Sequence, residues 1–190
     1  SDVYTDYVVT QAESEAAKAR VAPLNGQPLI GLVVESHPAG AHRDWPIQHF
    51  VALVSKLVSV TPNAGFILIG GTLNPAKTQA LQHILSDRLL NLTGKLSLRE
   101  SAAVIGQLDL YIGVDTGPSH LAAALGIPSV VMFHCMRAGE YLLAPRYPQR
   151  LTIVNHPTVR AACTFETPMS EIAVATIYEA ALAYLVEVTK

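Results

Sequence analysis

Residues 110–133 read LYIGVDTGPSHLAAALGIPSVVMF, and the order of residue types in this stretch decides the fold. Residues 110–114 are a short apolar run, the pattern of a strand covered on both faces. Asp115, Thr116 and Gly117 interrupt it. Pro118 then opens a short helix, residues 118–125, at a position where its missing N–H costs little. Gly126 and Pro128 stop that helix, and residues 129–133 are a second apolar strand.

The same alternation extends in both directions. Upstream, residues 29–35 (LIGLVVE) and 65–69 (GFILI) read as buried strands, the second ended by Gly70-Gly71. Between them, Ile47, Phe50, Val51, Leu53, Val54, Leu57 and Val58 recur at helical spacing within residues 46–60, with Asp44 placed as a cap. Residues 75–85 predict a helix and 89–92 a short strand. Ser97 and Glu100 have capping-box spacing and open a helix through Leu108. Residues 151–154 predict a last strand and 174–188 a closing helix. There is no internal repeat and no low-complexity tract.

This pattern predicts an α/β fold: a Rossmann-like parallel sheet with helices on both faces. Residues 29–190 form that domain. Residues 1–28 are expected to be a lead-in, with 11–21 (QAESEAAKARV) an exposed helix or helical linker and the Pro23–Pro28 turn cluster behind it. Ligands of such sheets bind beyond the carboxyl ends of the strands, which directs attention to the loops after Glu35, Ile69, Val114 and Phe133.

Composition narrows the partners. The chain has 190 residues, half of them hydrophobic and only 15% charged, with net charge −2. Bulk charge therefore does not recruit nucleic acid or an anionic membrane, although a local anion site needs only a few placed donors. No apolar run is long enough for a transmembrane segment, and Ser1-Asp2-Val3-Tyr4 does not begin a signal peptide. Cys135 and Cys163 lack zinc-site spacing and are expected to be reduced thiols of a cytosolic protein.

The turn after residues 110–114 carries the chemistry. Asp115 or Thr116 is placed to cap the helix, and Gly117 allows a ligand close to the backbone. The amides of Gly117, Ser119 and His120 then point out of a helix N-terminus, which attracts anions. The bland alternative is a well-capped helix and a packed or surface histidine.

Asp115 to Pro128 (DTGPSHLAAALGIP) resembles the signature of glycosyltransferase family 9, the heptosyltransferases. Leu92 to Leu98 (LTGKLSL) resembles the family's stretch before the preceding helix, and Arg43-Asp44-Trp45-Pro46 its basic–x–Trp–Pro element. These elements follow the family's order and spacing from about Leu29 to Leu185. The resemblance implies the C-terminal, donor-binding half of a GT-B enzyme. It implies that Thr116, Gly117, Ser119 and His120 contact the donor diphosphate and that Arg43 neutralises it; Asp115, whose carboxylate would repel a diphosphate it faced, orients or caps, and the Ser36 hydroxyl at the end of the first strand can add a contact. Two positions depart from the family: His134-Cys135 follow the strand where glycine is frequent, and Thr72-Leu73-Asn74 occupy the stretch where some members carry a ribose-binding carboxylate.

By the same resemblance the donor is ADP-heptose or another nucleotide sugar and the acceptor a lipopolysaccharide core. The general base is expected in an N-terminal domain this chain does not contain, so the chain alone is expected to transfer nothing. The complete enzyme would work in the cytoplasm, peripheral to the inner membrane. No cofactor is implied, and the absence of any Asp-x-Asp argues for metal independence. A non-catalytic nucleotide-binding module is the alternative. A dinucleotide oxidoreductase is disfavoured, because Ser36-His37-Pro38-Ala39-Gly40 lacks the G-x-G-x-x-G that lets backbone approach a pyrophosphate.

Overall fold

The computed structural model describes residues 6–137 and 147–188; the Ser1-Asp2-Val3-Tyr4 start lies outside the described residues. Six strands form one sheet: β1 (Leu29–Val33), β2 (Gly65–Leu68), β3 (Leu89–Asn91), β4 (Leu110–Val114), β5 (Ser129–Phe133) and β6 (Leu151–Asn155). All neighbours pair in parallel, in the order β3-β2-β1-β4-β5-β6. That order is the doubly wound Rossmann arrangement, with its switch point between β1 and β4. Every residue of β1, β4 and β5 is buried, as their unbroken apolar runs require.

Among the described residues six α-helices cover the two faces. One face carries α2 (Ile47–Val60), α3 (Pro75–Leu85) and α6 (Val174–Val188), which bury Phe50, Leu53, Leu57, Leu81 and Ile177 against Leu32, Phe66 and Ile112. The other carries α1 (Gln11–Val21), α4 (Leu98–Ile105) and α5 (Gly117–Ala124), with Ala102, Ile105 and Ala122 against Val33, Ile67 and Val131. Ser97 and Glu100 make the predicted capping box of α4. Asp44 does not cap α2: Pro46 occupies the N-cap without a side-chain bond.

The helix α1 is docked rather than freely exposed. Ala17 and Val21 are buried, and side chains tie it to α4 through Arg20 with Glu100 (3.0 Å) and Arg99 with Glu13. Its weak amphipathic pattern hid this, because only small alanine and valine faces are needed where another helix approaches closely. No helix among the described residues is long and apolar enough to cross a membrane.

Candidate functional site

A cavity of about 790 Å³ opens at the carboxyl ends of the strands, spanning the β1–β4 switch point. Glu35 and Ser36 line it from β1, Gly70 and Gly71 from β2, Gly94 from the loop after β3, Asp115 to Pro118 from β4, and Arg137 from β5. Gly71 and Gly117 both face open space: a Cβ built on either would meet no protein atom within 4 Å. Packing does not demand glycine at these two points, but a ligand approaching the backbone would.

Arg43 reaches the cavity from a single 3₁₀ segment, Pro38–Arg43. Ser36 closes that segment onto β1. Its amide and hydroxyl both donate to Asp44 Oδ1, at 2.7 and 2.6 Å, and the hydroxyl also lies 2.7 Å from the Gly40 carbonyl. The Ser36 hydroxyl is thus committed to the loop rather than offered to phosphate, which corrects the contact expected of it. Beyond the segment, Trp45 is buried and its Nε1–H donates to the Ile172 carbonyl at 2.9 Å, pinning the chain to the α6 side.

Arg43 Nη1 donates to Asp115 Oδ2 at 3.0 Å. Arg43 Nε is buried and has no hydrogen-bond partner among the described residues. The same carboxylate receives His120 Nε2 at 3.5 Å and Arg137 Nη1 at 3.6 Å. Burial would raise the Asp115 pKa, but hydrogen bonds from His120 and Arg43 and the charges of Arg43 and Arg137 carry it below the ordinary carboxylate value. Asp115 is therefore the anionic centre of a cationic group, not a helix cap. Two arginines around one carboxylate leave a positive excess facing the cavity, and a guanidinium with five N–H donors keeps others for a ligand.

Thr116 takes the N-cap of α5 with extended backbone and no side-chain cap bond; its hydroxyl donates to the Val114 carbonyl at 3.2 Å. The amides of Ser119 and His120 turn back to the Thr116 carbonyl at 3.0 and 3.4 Å, so the open-amide arrangement reduces to the Gly117 end of the turn. Ser119 is a further correction. It is fully buried, its hydroxyl donates to the Val114 carbonyl at 2.6 Å and pairs with Tyr111 at 2.8 Å, and it does not line the cavity. Burial pushes the Tyr111 hydroxyl pKa up, so this pair stays neutral. Ser119 anchors α5 to the sheet. His120 stays at the cavity wall, its Nδ1 buried without a hydrogen-bond partner among the described residues.

The structure thus brings Arg43, Asp115, Thr116, Gly117 and His120 to the cavity wall, keeps Ser36 there with its hydroxyl engaged by the loop, and withdraws Ser119. Sequence reasoning missed three charged groups. Glu35 lines the cavity and is held by Lys77 Nζ at 2.7 Å; Arg137 faces Asp115. A basic residue just past β5, in a loop already marked for ligand binding, was the signal for Arg137. Nothing local announced the Glu35–Lys77 pairing, which joins β1 to α3.

The cysteines are not reduced thiols. Cys135 and Cys163 are joined in a disulfide with Cα atoms 5.8 Å apart, which overturns the expectation from their spacing. Linear spacing could not show it, because β6 intervenes and returns the chain to the end of β5. Among the described residues His134 is the histidine adjoining this pair, within the 4.8 Å that would also suit a metal. Its Nδ1 accepts from the Met136 amide at 3.1 Å and its Nε2 contacts the Thr167 carbonyl at 2.8 Å, so both nitrogens are engaged.

Comparison with known proteins places this architecture. Over 128 residues the chain is 27% identical to lipooligosaccharide heptosyltransferase 2 of Haemophilus influenzae, covering 65% of this chain and 36% of that protein. The ADP-heptose lipopolysaccharide heptosyltransferase II of E. coli superposes with a TM-score of 0.75 at 18% identity, over 97% of this chain and 54% of that one. A family 9 glycosyltransferase from Veillonella parvula gives 0.73 at 18% identity, over 98% and 55%. These two likenesses establish the GT-B type of fold, and the chain spans about half the length of the solved relatives and about a third of the curated one. The family model for glycosyltransferase family 9 (heptosyltransferase) matches residues 2–171, nearly the whole sequence, and the chain belongs to that family.

Proposed function

We propose that this chain is a donor-binding half of a metal-independent glycosyltransferase, holding the diphosphate of ADP-heptose or a similar nucleotide sugar for transfer to a lipopolysaccharide core. One observation carries the reading: Arg43 reaches from the β1 loop across the switch point to the carboxylate that opens the β4 loop, beside the start of α5 and the unfilled space over Gly117. A pyrophosphate in that space meets a guanidinium and the Gly117 end of a helix N-terminus, with two arginines around the Asp115 carboxylate. The names of the E. coli and Haemophilus relatives support heptose as the sugar.

The chemistry asked of these residues is electrostatic. An acceptor hydroxyl oxygen attacks the anomeric carbon, the bond from that carbon to the diphosphate oxygen breaks, and the hydroxyl proton passes to a base. Negative charge grows on the departing diphosphate, where Arg43 and the start of α5 stabilise it without reorganising. Asp115 does not take that proton, because its low pKa and its cationic partners keep it an ion-pair centre. The base and the acceptor site belong to the remainder of the enzyme, so this chain by itself binds donor and transfers nothing.

Calorimetric titration with ADP and ADP-sugar tests the reading. Wild type binds both, and Arg43→Ala weakens binding on the order of tenfold, as losing a charge-assisted contact does. Equal affinities of the two proteins for ADP would remove Arg43 from the site. Sugar transfer by the purified chain would overturn the need for a second half.

A further inference from the structure

The loop after β5 opens with His134-Cys135, and Arg137 lies two residues on. Arg137 Nη1 stands 3.6 Å from Asp115 Oδ2, on the carboxylate that Arg43 already holds. Its side chain is 59% exposed, so it is placed at the rim with freedom to turn onto a ligand. The turn that carries it is short: the Arg137 amide donates to the His134 carbonyl at 2.8 Å. Within that turn, Cys135 is bonded covalently to Cys163, from the segment following β6. Two weaker ties run to the same segment, from Arg160 Nη1 to the Met136 carbonyl at 2.6 Å and from His134 to the Thr167 carbonyl.

We propose that Arg137 is a second diphosphate-binding cation and that the Cys135–Cys163 disulfide is the device that positions it, so that donor binding weakens when the disulfide is reduced. This rests on the diphosphate reading of the cavity. Charge supports it: the Asp115 carboxylate offsets one arginine, so Arg43 and Arg137 together leave one net positive charge around it, where Arg43 alone would leave none. Connectivity supports it as well, because a covalent link two residues away restricts the turn more than either hydrogen bond can. Cys135 is buried but Cys163 is only half-buried, so a small reductant reaches the sulfur pair from the Cys163 side.

Reduction by a dithiol is balanced. One reductant thiolate attacks Cys163 Sγ, the S–S bond breaks and Cys135 leaves as thiolate. The second reductant thiolate then closes its own disulfide and expels Cys163. Two electrons pass to the protein, and two protons taken up leave both cysteines as thiols.

The test titrates ADP and adenosine into oxidised chain, chain reduced with dithiothreitol, Arg137→Ala, Arg137→Lys and Cys163→Ser, with circular dichroism on each. Arg137→Ala is expected to weaken ADP about tenfold and Arg137→Lys less, with adenosine unchanged in both, since only the phosphates meet the cation. Reduction, or Cys163→Ser, is expected to weaken ADP about threefold in wild type and not at all in Arg137→Ala, because two changes acting through one contact do not add. If wild type binds ADP and Arg137→Ala binds it equally, this proposal falls while the diphosphate reading stands. An equal effect of reduction with and without Arg137 overturns the positioning role, as does loss of the folded dichroism on reduction. Failure of wild type to bind ADP overturns the diphosphate reading and this proposal with it.

Discussion

The guanidinium of Arg43 lies flat against Gly40: a Cβ at position 40 would come within 2.2 Å of Nη2 and 2.9 Å of Cζ. Gly40 is buried, and the atoms it would strike belong to the end of a long side chain rather than to backbone. The absence of a side chain at position 40 therefore sets where the Arg43 charge stands.

Gly40→Ala should fold normally and bind poorly. Displacing the guanidinium also weakens its bond to the buried Asp115 carboxylate, so stability should fall by on the order of 1–3 kcal/mol without loss of the fold. ADP affinity should fall on the order of tenfold, approaching that of Arg43→Ala. Calorimetry on the two variants and their double mutant checks this; an additive loss in the double mutant would mean that Gly40 acts by another route.

Ser119→Ala should do the reverse. The serine hydroxyl has one proton, given to the Val114 carbonyl, so Tyr111 donates to its oxygen. Removing it deprives the buried Tyr111 hydroxyl of that acceptor and costs roughly 1–3 kcal/mol of stability. ADP affinity should stay within twofold. Denaturant unfolding with titration separates the two, and a large loss of affinity at unchanged stability would return Ser119 to the phosphate site.

Two titrations separate by pH. Burial, with the nearby His134, Arg43 and Arg137 charges, lowers the His42 pKa below 6.5. The unfolded chain then binds that proton more readily, so the stability is complete above 6.5 and is lost as pH falls below it through the lower folded value. Asp115, also lowered, keeps its contribution until pH falls below the ordinary carboxylate value of 3.8. Wild type should lose more stability between pH 7.5 and 5.5 than His42→Asn does. Parallel losses in thermal melts would show that His42 does not titrate as described.

The disulfide closes a loop with a sequence separation of 28, and its reduction should cost about 2–4 kcal/mol of stability. A thiol reagent applied in denaturant should find no reactive cysteine before reduction and both Cys135 and Cys163 after it. Thiols present without reductant in the freshly purified chain would contradict the linkage.

The strands were legible because their signal is local. β4 and β5 fall on the residues predicted from their apolar runs, and α1, α3 and α6 also fall on the residues predicted for them. The strands β1, β2 and β3 end one or two residues early, where the chain leaves the sheet to build the cavity. Arg43 was picked out through the family resemblance and Thr116, Gly117 and His120 as residues of the turn after β4, and the structure places all four at the cavity wall.

The roles of the polar side chains were not legible. Asp44 looks like a cap in sequence but serves Ser36, eight residues back. Ser119 sits in phosphate-binding company in sequence but faces Tyr111 across the turn. Both assignments depend on which way a side chain leaves the backbone, and local spacing does not encode that.

Hydrophobic periodicity and turn chemistry within single segments determined the α/β order and the loops that hold the site, because burial of an apolar face is satisfied whichever partner covers it. Tertiary structure alone decided that Arg43, Arg137 and His120 share Asp115, that Lys77 holds Glu35, and that Cys135 meets Cys163. Ion pairs and a disulfide need particular atoms within a few ångströms, and only the packing of the parallel strands and their covering helices against one another supplies that proximity.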